Sequence, residues 1–185
     1  MVCGRCEMRQ KTDKIRTRPV KMIVLVAGFV LLLVYGTLSV TAQDPFWFLK
    51  GFRYQPARVV VYHHEGKRTE LRPGDPGFAE LTTAVQICLA QGVERPSSIG
   101  FSDASLLDAY SRYLTMEVFF DQPVKLHAWF NTGKPTQMLF PITGRHSELT
   151  IALLGQNGQY LSGPPVLKTI EPIREALKTL GYYDD

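Results

Sequence analysis

Residues 22–42 read MIVLVAGFVLLLVYGTLSVTA and contain no charged side chain. A helix of this length is about 30 Å long at ~1.5 Å per residue, which matches the hydrocarbon core of a bilayer. The backbone polar groups of such a helix bond to one another, so the segment can cross lipid without exposing them. A core helix of a soluble protein is rarely apolar on every face. The segment therefore predicts a transmembrane helix, with the lipid bilayer as its partner.

The charges on either side of this segment differ in sign. Residues 1–21 carry seven Lys or Arg residues against two acidic ones, a net charge of +5, whereas residues 43–185 carry fourteen basic and fifteen acidic residues, a net charge of −1. Basic residues beside a span are retained on the cytoplasmic side, so the C-terminal part is expected outside the cytoplasm. That part has no basic excess to displace counterions from phosphates, which argues against nucleic acid binding.

These boundaries predict one folded domain, because the residues after the span suffice for one core but not for two. A cleaved signal peptide is the alternative to an anchor, since Val40 and Ala42 place small or short residues at the −3 and −1 positions of a cleavage site. The long basic head and the long apolar run favour the uncleaved signal-anchor. The expected parts are a cytoplasmic head (1–21), a transmembrane helix (22–42), a stalk (43–56) and an extracytoplasmic domain (57–185).

The three cysteines do not form a disulfide framework. Cys3 and Cys6 have the spacing of a metal or redox pair, but tetrahedral zinc needs four ligands, so a metal site here is only a weak alternative. Cys88 falls on the apolar face of a predicted helix and is expected in the core. No cofactor is expected. The absence of an Asn-x-Ser/Thr sequon after the span favours a bacterial cell envelope.

Hydrophobic periodicity places the elements of the domain. Residues 58–64 and 67–71 predict a β-hairpin, 76–91 predicts a helix, and 104–113 predicts a shorter helix. The second half alternates with period two, which is typical of an antiparallel meander, before a closing helix. The result is an α+β fold, with a mostly antiparallel sheet (hairpin, helix, meander) and helices on one face. The later strands are expected at 114–120, 124–130, 137–142, 148–154 and 159–161, with a tight turn at Asn157 and Gly158 and a helix at 166–180.

The best local arrangement of polar residues comes from pairing the strands on either side of residues 121–123. If they pair as a hairpin, Glu117 lies opposite His127 on the outer face. A carboxylate beside an imidazole can orient a general base, although such pairs are more often solvated surface pairs. Trp129 shares that face and could anchor a partner protein.

A polar loop supplies the remaining candidates for binding. Arg145 and His146 lie in the sequence TGRHS, between two predicted strands. Arginine offers a rigid fork of donors that suits a carboxylate or another anion, whereas a solvated turn is the simpler interpretation.

The sequence contains no convergent catalytic motif, so we expect a non-enzymatic binding or regulatory module, anchored in a membrane beside a protein partner of a cell envelope. The alternative is an envelope hydrolase that uses Glu117, His127 and His146 in one cleft. That alternative requires the three side chains to converge around a pocket. A secreted soluble domain, released by cleavage after Ala42, is the third possibility.

Overall fold

The computed structural model describes the backbone of residues 7–63 and 66–183, with side chains from Pro19 onward. Helix α1 covers Glu7–Ala42, and its part Pro19–Ala42 has a mean hydropathy of 2.5 with none of its most apolar window buried. The predicted apolar helix is therefore present, and it is long and apolar enough to cross a bilayer.

A tight backbone motif ends α1. Gln43 adopts a left-handed conformation with φ of 51°. Its N–H donates to the Val40 carbonyl at 3.2 Å, and the Asp44 N–H donates to the Ser39 carbonyl at 3.1 Å. This pair of bonds is the Schellman pattern, which stops a helix and turns the chain away from its axis.

The α+β class is confirmed, and the sheet is antiparallel throughout. The elements after α1 are β1 (Arg58–Tyr62), β2 (Arg68–Leu71), α2 (Phe78–Ala90), β3 (Val93–Pro96), α3 (Asp103–Ser111), β4 (Thr115–Phe119), β5 (Gln137–Pro141), β6 (Leu153–Gln156), β7 (Gln159–Tyr160), β8 (Pro165–Leu167) and α4 (Glu171–Thr179). Six strands lie in the order β2-β1-β4-β5-β6-β7, and β3 pairs with β8 in a separate small sheet.

Helices lie on both faces of the large sheet, so the expectation that all of them share one face is wrong. Val59, Val61 and Met116 point to one face, where they form the main core with α2 and α4. The opposite face carries a smaller cluster that includes Leu139 and packs against α3. Successive residues of a strand point to opposite faces, so this second layer buries positions that a two-layer fold would leave in solvent.

The predicted strand at 124–130 is not part of the sheet. β4 pairs with β1 on one side and with β5 on the other, so it has no free edge for this segment. The segment is nevertheless extended: Val124, Leu126 and Ala128 are buried, as the alternation predicted. It connects β4 to β5 along the chain, and its Val124 and Leu126 side chains belong to the main core.

Two further boundaries differ from the prediction. Residues 144–149 form turns, and β6 begins only at Leu153, in place of a strand over 148–154. The last helix begins at Glu171 because Pro172 fits only the first turn of a helix, and residues 165–167 before it pair with β3. The hairpin β1–β2, the helices α2 and α3, the strands β4 and β5, and the turn at Asn157 and Gly158 are confirmed.

Candidate functional site

The predicted pair of Glu117 with His127 does not form. Glu117 lies opposite Val60 on β1 and Leu139 on β5, both of which are fully buried. Its side chain points to the face of the sheet that α3 covers, and only 4% of the residue is exposed. The sequence predicts that this face is exposed to solvent. A carboxylate in this position needs hydrogen-bond donors, because burial of an unpaired charge is costly.

Tyrosines from two strands supply those donors, and a third tyrosine lies beside them. The hydroxyl of Tyr62 on β1 donates to Glu117 Oε2 at 3.0 Å, and the hydroxyl of Tyr160 on β7 donates to Oε1. The hydroxyl of Tyr110 on α3 lies 3.1 Å from that of Tyr160, and its ring packs 4.6 Å from the ring of Tyr62. Tyr160 lies close over Gly155 of β6, where an added Cβ would come within 2.9 Å of the Tyr160 ring. We call Glu117, Tyr62, Tyr110 and Tyr160 the tyrosine–glutamate cluster.

The electrostatics of the cluster keep its phenols protonated. Burial, together with the charge of Glu117, raises the pKa of Tyr62 and of Tyr160 above the ordinary range. Burial raises the pKa of Tyr110 to about 12. The phenols therefore remain donors at neutral pH, and the cluster is a closed network that stabilises the second layer of the fold.

His127 has a different partner, at the end of α1. Its Nδ1 lies 2.6 Å from Asp44 Oδ2, and Lys125 Nζ lies 3.0 Å from Asp44 Oδ1. The Phe46 N–H also donates to Oδ1, at 2.8 Å. Asp44 is 1% exposed. We call Asp44, Lys125 and His127 the Asp44 joint, because they connect the end of α1 to the extended segment 124–130.

The pKa of Asp44 reflects opposing effects. Burial acts to raise it, but the hydrogen bonds from the Phe46 N–H, His127 and Lys125 together outweigh burial and lower it. The carboxylate is thus ionised at neutral pH and can only accept hydrogen bonds, so Nδ1 of His127 carries a proton. The joint is a specific polar contact in which every charge has a partner.

Trp129 is bonded through its indole N–H but remains partly exposed to solvent. Its indole N–H donates to the Glu94 carbonyl at 3.2 Å, and its ring packs edge-to-face on Phe130 at 5.4 Å. The residue is nevertheless 45% exposed. Its predicted role as an anchor for a partner stays a prediction.

Arg145 and His146 lie together in the loop between β5 and β6. The ring of His146 packs 4.9 Å from that of Phe101, in a backbone conformation with φ of 71°. Burial and the neighbouring Arg145 lower the pKa of His146, so the imidazole is neutral at pH 7. Anion binding by this loop would therefore depend on the Arg145 guanidinium.

The three groups of the hydrolase hypothesis have separate surroundings. Glu117 is enclosed by tyrosines, His127 is bonded to Asp44, and His146 packs on Phe101. The side chains lining the recess beside His146 include neither Glu117 nor His127. Each of the three side chains thus has its own set of partners among the described residues, and the hydrolase hypothesis stays a prediction.

A groove between α2 and α4 contains none of the site residues that the sequence predicted. It has a volume of about 500 Å³ and an apolar floor of small side chains. The charged side chains that line it are Glu80 and Glu175, both carboxylates. The sequence signal is the spacing of Ala79, Thr83 and Ile87, four residues apart on the side of α2 away from the core. The remaining lining residues are Ala84, Pro172, Ala176 and Thr179.

The cysteines carry no site within the described residues. Cys88 is fully buried in the main core, and burial raises the pKa of its thiol to about 11, so it is not a reactive thiolate. Cys3 and Cys6, the weak alternative for metal binding, lie outside the described residues. Within residues 7–63 and 66–183, no group of three or more His, Cys, Asp or Glu side chains is placed to hold a metal ion.

Comparison with known proteins adds no family. No protein-family model matches the chain, and no curated protein or solved structure matches it significantly. The fold is thus defined by the structure itself, an α+β domain that follows one N-terminal helix long and apolar enough to span a membrane.

Proposed function

We propose that this chain is a single-pass membrane protein whose C-terminal domain lies outside the cytoplasm and binds a protein partner in a cell envelope without catalysing a reaction. The anchor is supported by α1, whose residues 19–35 are all exposed to the surroundings. The basic head supports the orientation through the positive-inside rule. The burial of Ala42 and Asp44 in the base of the domain supports an uncleaved anchor, because cleavage after Ala42 would cut inside that contact.

The groove between α2 and α4 is the observation that carries the binding role. Ile87 is 47% exposed there, among small side chains that allow a third helix to approach closely. Glu80 and Glu175 give the groove a negative charge and disfavour a second copy of the same surface. The occupant that fits is an amphipathic helix of another protein, with an apolar stripe flanked by Lys or Arg.

Photo-crosslinking in intact cells tests this proposal. A photoreactive amino acid replaces Ile87 in the full chain, and the same substitution is made in the double variant Glu80→Lys and Glu175→Lys. We expect one discrete protein adduct with the parent chain and loss of that adduct with the double variant, because the reversed charges repel a basic helix.

A matched charge reversal at a distance is the control. Glu94→Lys and Glu148→Lys change the net charge equally at exposed positions outside the groove. The adduct should persist in this variant. An adduct lost equally in both double variants, or no adduct at position 87, contradicts the proposed binding surface.

A further inference from the structure

We infer that residues 45–49, here called the aromatic turn, lie in the outer headgroup layer of the bilayer beside α1. The part of α1 that lies in the hydrocarbon core then ends near Tyr35, seven residues before the helix itself ends. The domain rests directly on the membrane surface and is not held away from it by a stalk. This inference depends on the proposed membrane anchor and adds the surface through which the domain meets lipid.

The turn folds back along the helix. The Tyr35 hydroxyl donates to the Pro45 carbonyl at 2.9 Å, and the Phe48 ring lies 6.4 Å from the Tyr35 ring. Tyr35 precedes Ala42 by seven residues, which is about 10 Å along a helix axis. The aromatic turn therefore lies beside the last two turns of α1, at the depth that these turns occupy.

The exposure of α1 changes at the same level. Residues 19–35 are exposed throughout, whereas beyond them Leu38 and Ser39 are half-buried and Ala42 is buried against the domain. Residues 19–35 make about 26 Å of helix, close to the ~30 Å of the hydrocarbon core, and the Lys21 side chain near their start is long enough to reach the headgroups. One side of the last two turns of α1 thus packs against the domain, whereas Thr37, Val40 and Thr41 on the other side stay exposed at the depth of the aromatic turn.

The chemistry of the turn suits lipid headgroups. Phe46 and Phe48 are each 54% exposed and Leu49 is 48% exposed, which is unfavourable in water. Lys50 and Arg53 follow at exposed positions and can meet lipid phosphates. Aromatic side chains beside cations at the end of a span are typical of the membrane interface. The apolar surface of the turn is continuous with that of α1, so lipid is the occupant rather than a protein.

Tryptophan quenching by brominated lipid tests the inference. The chain has two tryptophans, so Trp47→Phe with Trp129→Phe provides a background without them. Single tryptophans are then introduced as Phe48→Trp in the turn, Leu31→Trp in the span and Tyr182→Trp in the domain. Tyr182 packs against His63, which follows the last residue of β1. It serves as the control at a distance from the aromatic turn. Each full chain is reconstituted in phosphatidylcholine vesicles with and without bromine on the acyl chains.

The outcomes separate this inference from the anchor. We expect brominated lipid to cause a loss of emission from Phe48→Trp and Leu31→Trp but not from Tyr182→Trp. Quenching at Leu31→Trp alone overturns the contact and leaves the anchor intact, whereas no quenching at any position overturns both. Equal quenching at Phe48→Trp and Tyr182→Trp also overturns it, because the contact is then not specific to the turn. Leu49→Trp is a second reporter, used if the circular dichroism of Phe48→Trp differs from the parent.

Discussion

At the scale of single residues, Glu117 is buried where its local sequence predicts exposure to solvent. Its sequence context, with alternating apolar residues in β4, is that of a solvated strand face. Long-range packing of α3 and β7 converts that face into an interior, and Tyr62 of β1 and Tyr160 of β7 supply the phenol donors. A charged side chain is then tolerated because hydrogen bonds replace its hydration. Glu117 is therefore a structural residue of the second layer rather than a surface group.

Removal of one donor should destabilise the fold measurably. Tyr160→Phe deletes a hydroxyl that bonds both Glu117 and Tyr110. We expect the free energy of unfolding to fall by about 1–3 kcal/mol, because a buried carboxylate loses a donor. Denaturant unfolding of the full chain in detergent micelles at neutral pH measures the change. Tyr54→Phe, at a half-exposed phenol, is the matched control and should change stability by less than about 0.5 kcal/mol.

The contribution of the tyrosine–glutamate cluster to stability should fall as the pH rises above 10. The folded pKa of Tyr110 is about 12 against an ordinary 10.0, so the unfolded chain releases its proton first as the pH rises. The contribution is fully present below pH 10 and is lost between 10 and about 12, with Tyr62 and Tyr160 acting in the same direction. Tyr160→Phe should show a shallower decline than the parent. An equal or steeper decline would contradict the role of the cluster.

At the scale of elements, the extended segment 124–130 acts as a brace rather than a strand. Its buried side is that of a strand, with Val124 and Leu126 in the main core. Its polar side holds Asp44 through Lys125 and His127, which are two residues apart and therefore on the same side. The segment thus joins the end of α1 to the core of the domain.

Loss of the Asp44 carboxylate should loosen this connection. Asp44→Asn leaves the donors of Lys125 and His127 facing an amide, and we expect a loss of about 1–3 kcal/mol at neutral pH. The folded pKa of Asp44 is lowered from 3.8, so its stabilising effect is present above that value and disappears as the pH falls through the folded pKa. The difference between parent and variant, followed by denaturant unfolding, should therefore shrink below pH 3.8.

An exposed carboxylate close in sequence to the brace controls for loss of charge alone. Asp121→Asn, in the turn before residues 124–130, should stay within about 0.5 kcal/mol of the parent across the same pH range. If Asp44→Asn behaves like Asp121→Asn, or if the difference in stability between parent and Asp44→Asn widens on acidification, the ionised Asp44 carboxylate does not stabilise the protein.

At the scale of the whole molecule, the basic, apolar and nearly neutral parts of the chain follow one another in a fixed order. A basic head precedes an apolar helix, and an almost neutral domain follows it. In the proposed membrane topology the head sets the orientation, because Lys and Arg close to a span resist translocation. The proposed groove and the aromatic turn both depend on this orientation, since each presents its surface on the side that holds the domain.

Reporter fusions at the C-terminus test the orientation. The parent should place the reporter outside the cytoplasm, and Arg16→Glu, Arg18→Glu and Lys21→Glu together should increase the cytoplasmic fraction. Arg112→Glu, Lys134→Glu and Arg145→Glu make the same charge change far from the span and should leave the orientation unchanged. A cytoplasmic reporter on the parent chain contradicts the proposed location of the domain.

Local patterns in the sequence predict the apolar helix, the α+β class, and the elements β1, β2, α2, α3, β4 and β5, because their signals repeat along contiguous residues. Only long-range packing buries Glu117, brings His127 to Asp44 rather than to Glu117, and leaves a groove between α2 and α4. These features depend on which strand occupies each edge of β4 and on which helix covers each face of the sheet. Both are set by contacts between residues far apart in the chain, and no local periodicity encodes them.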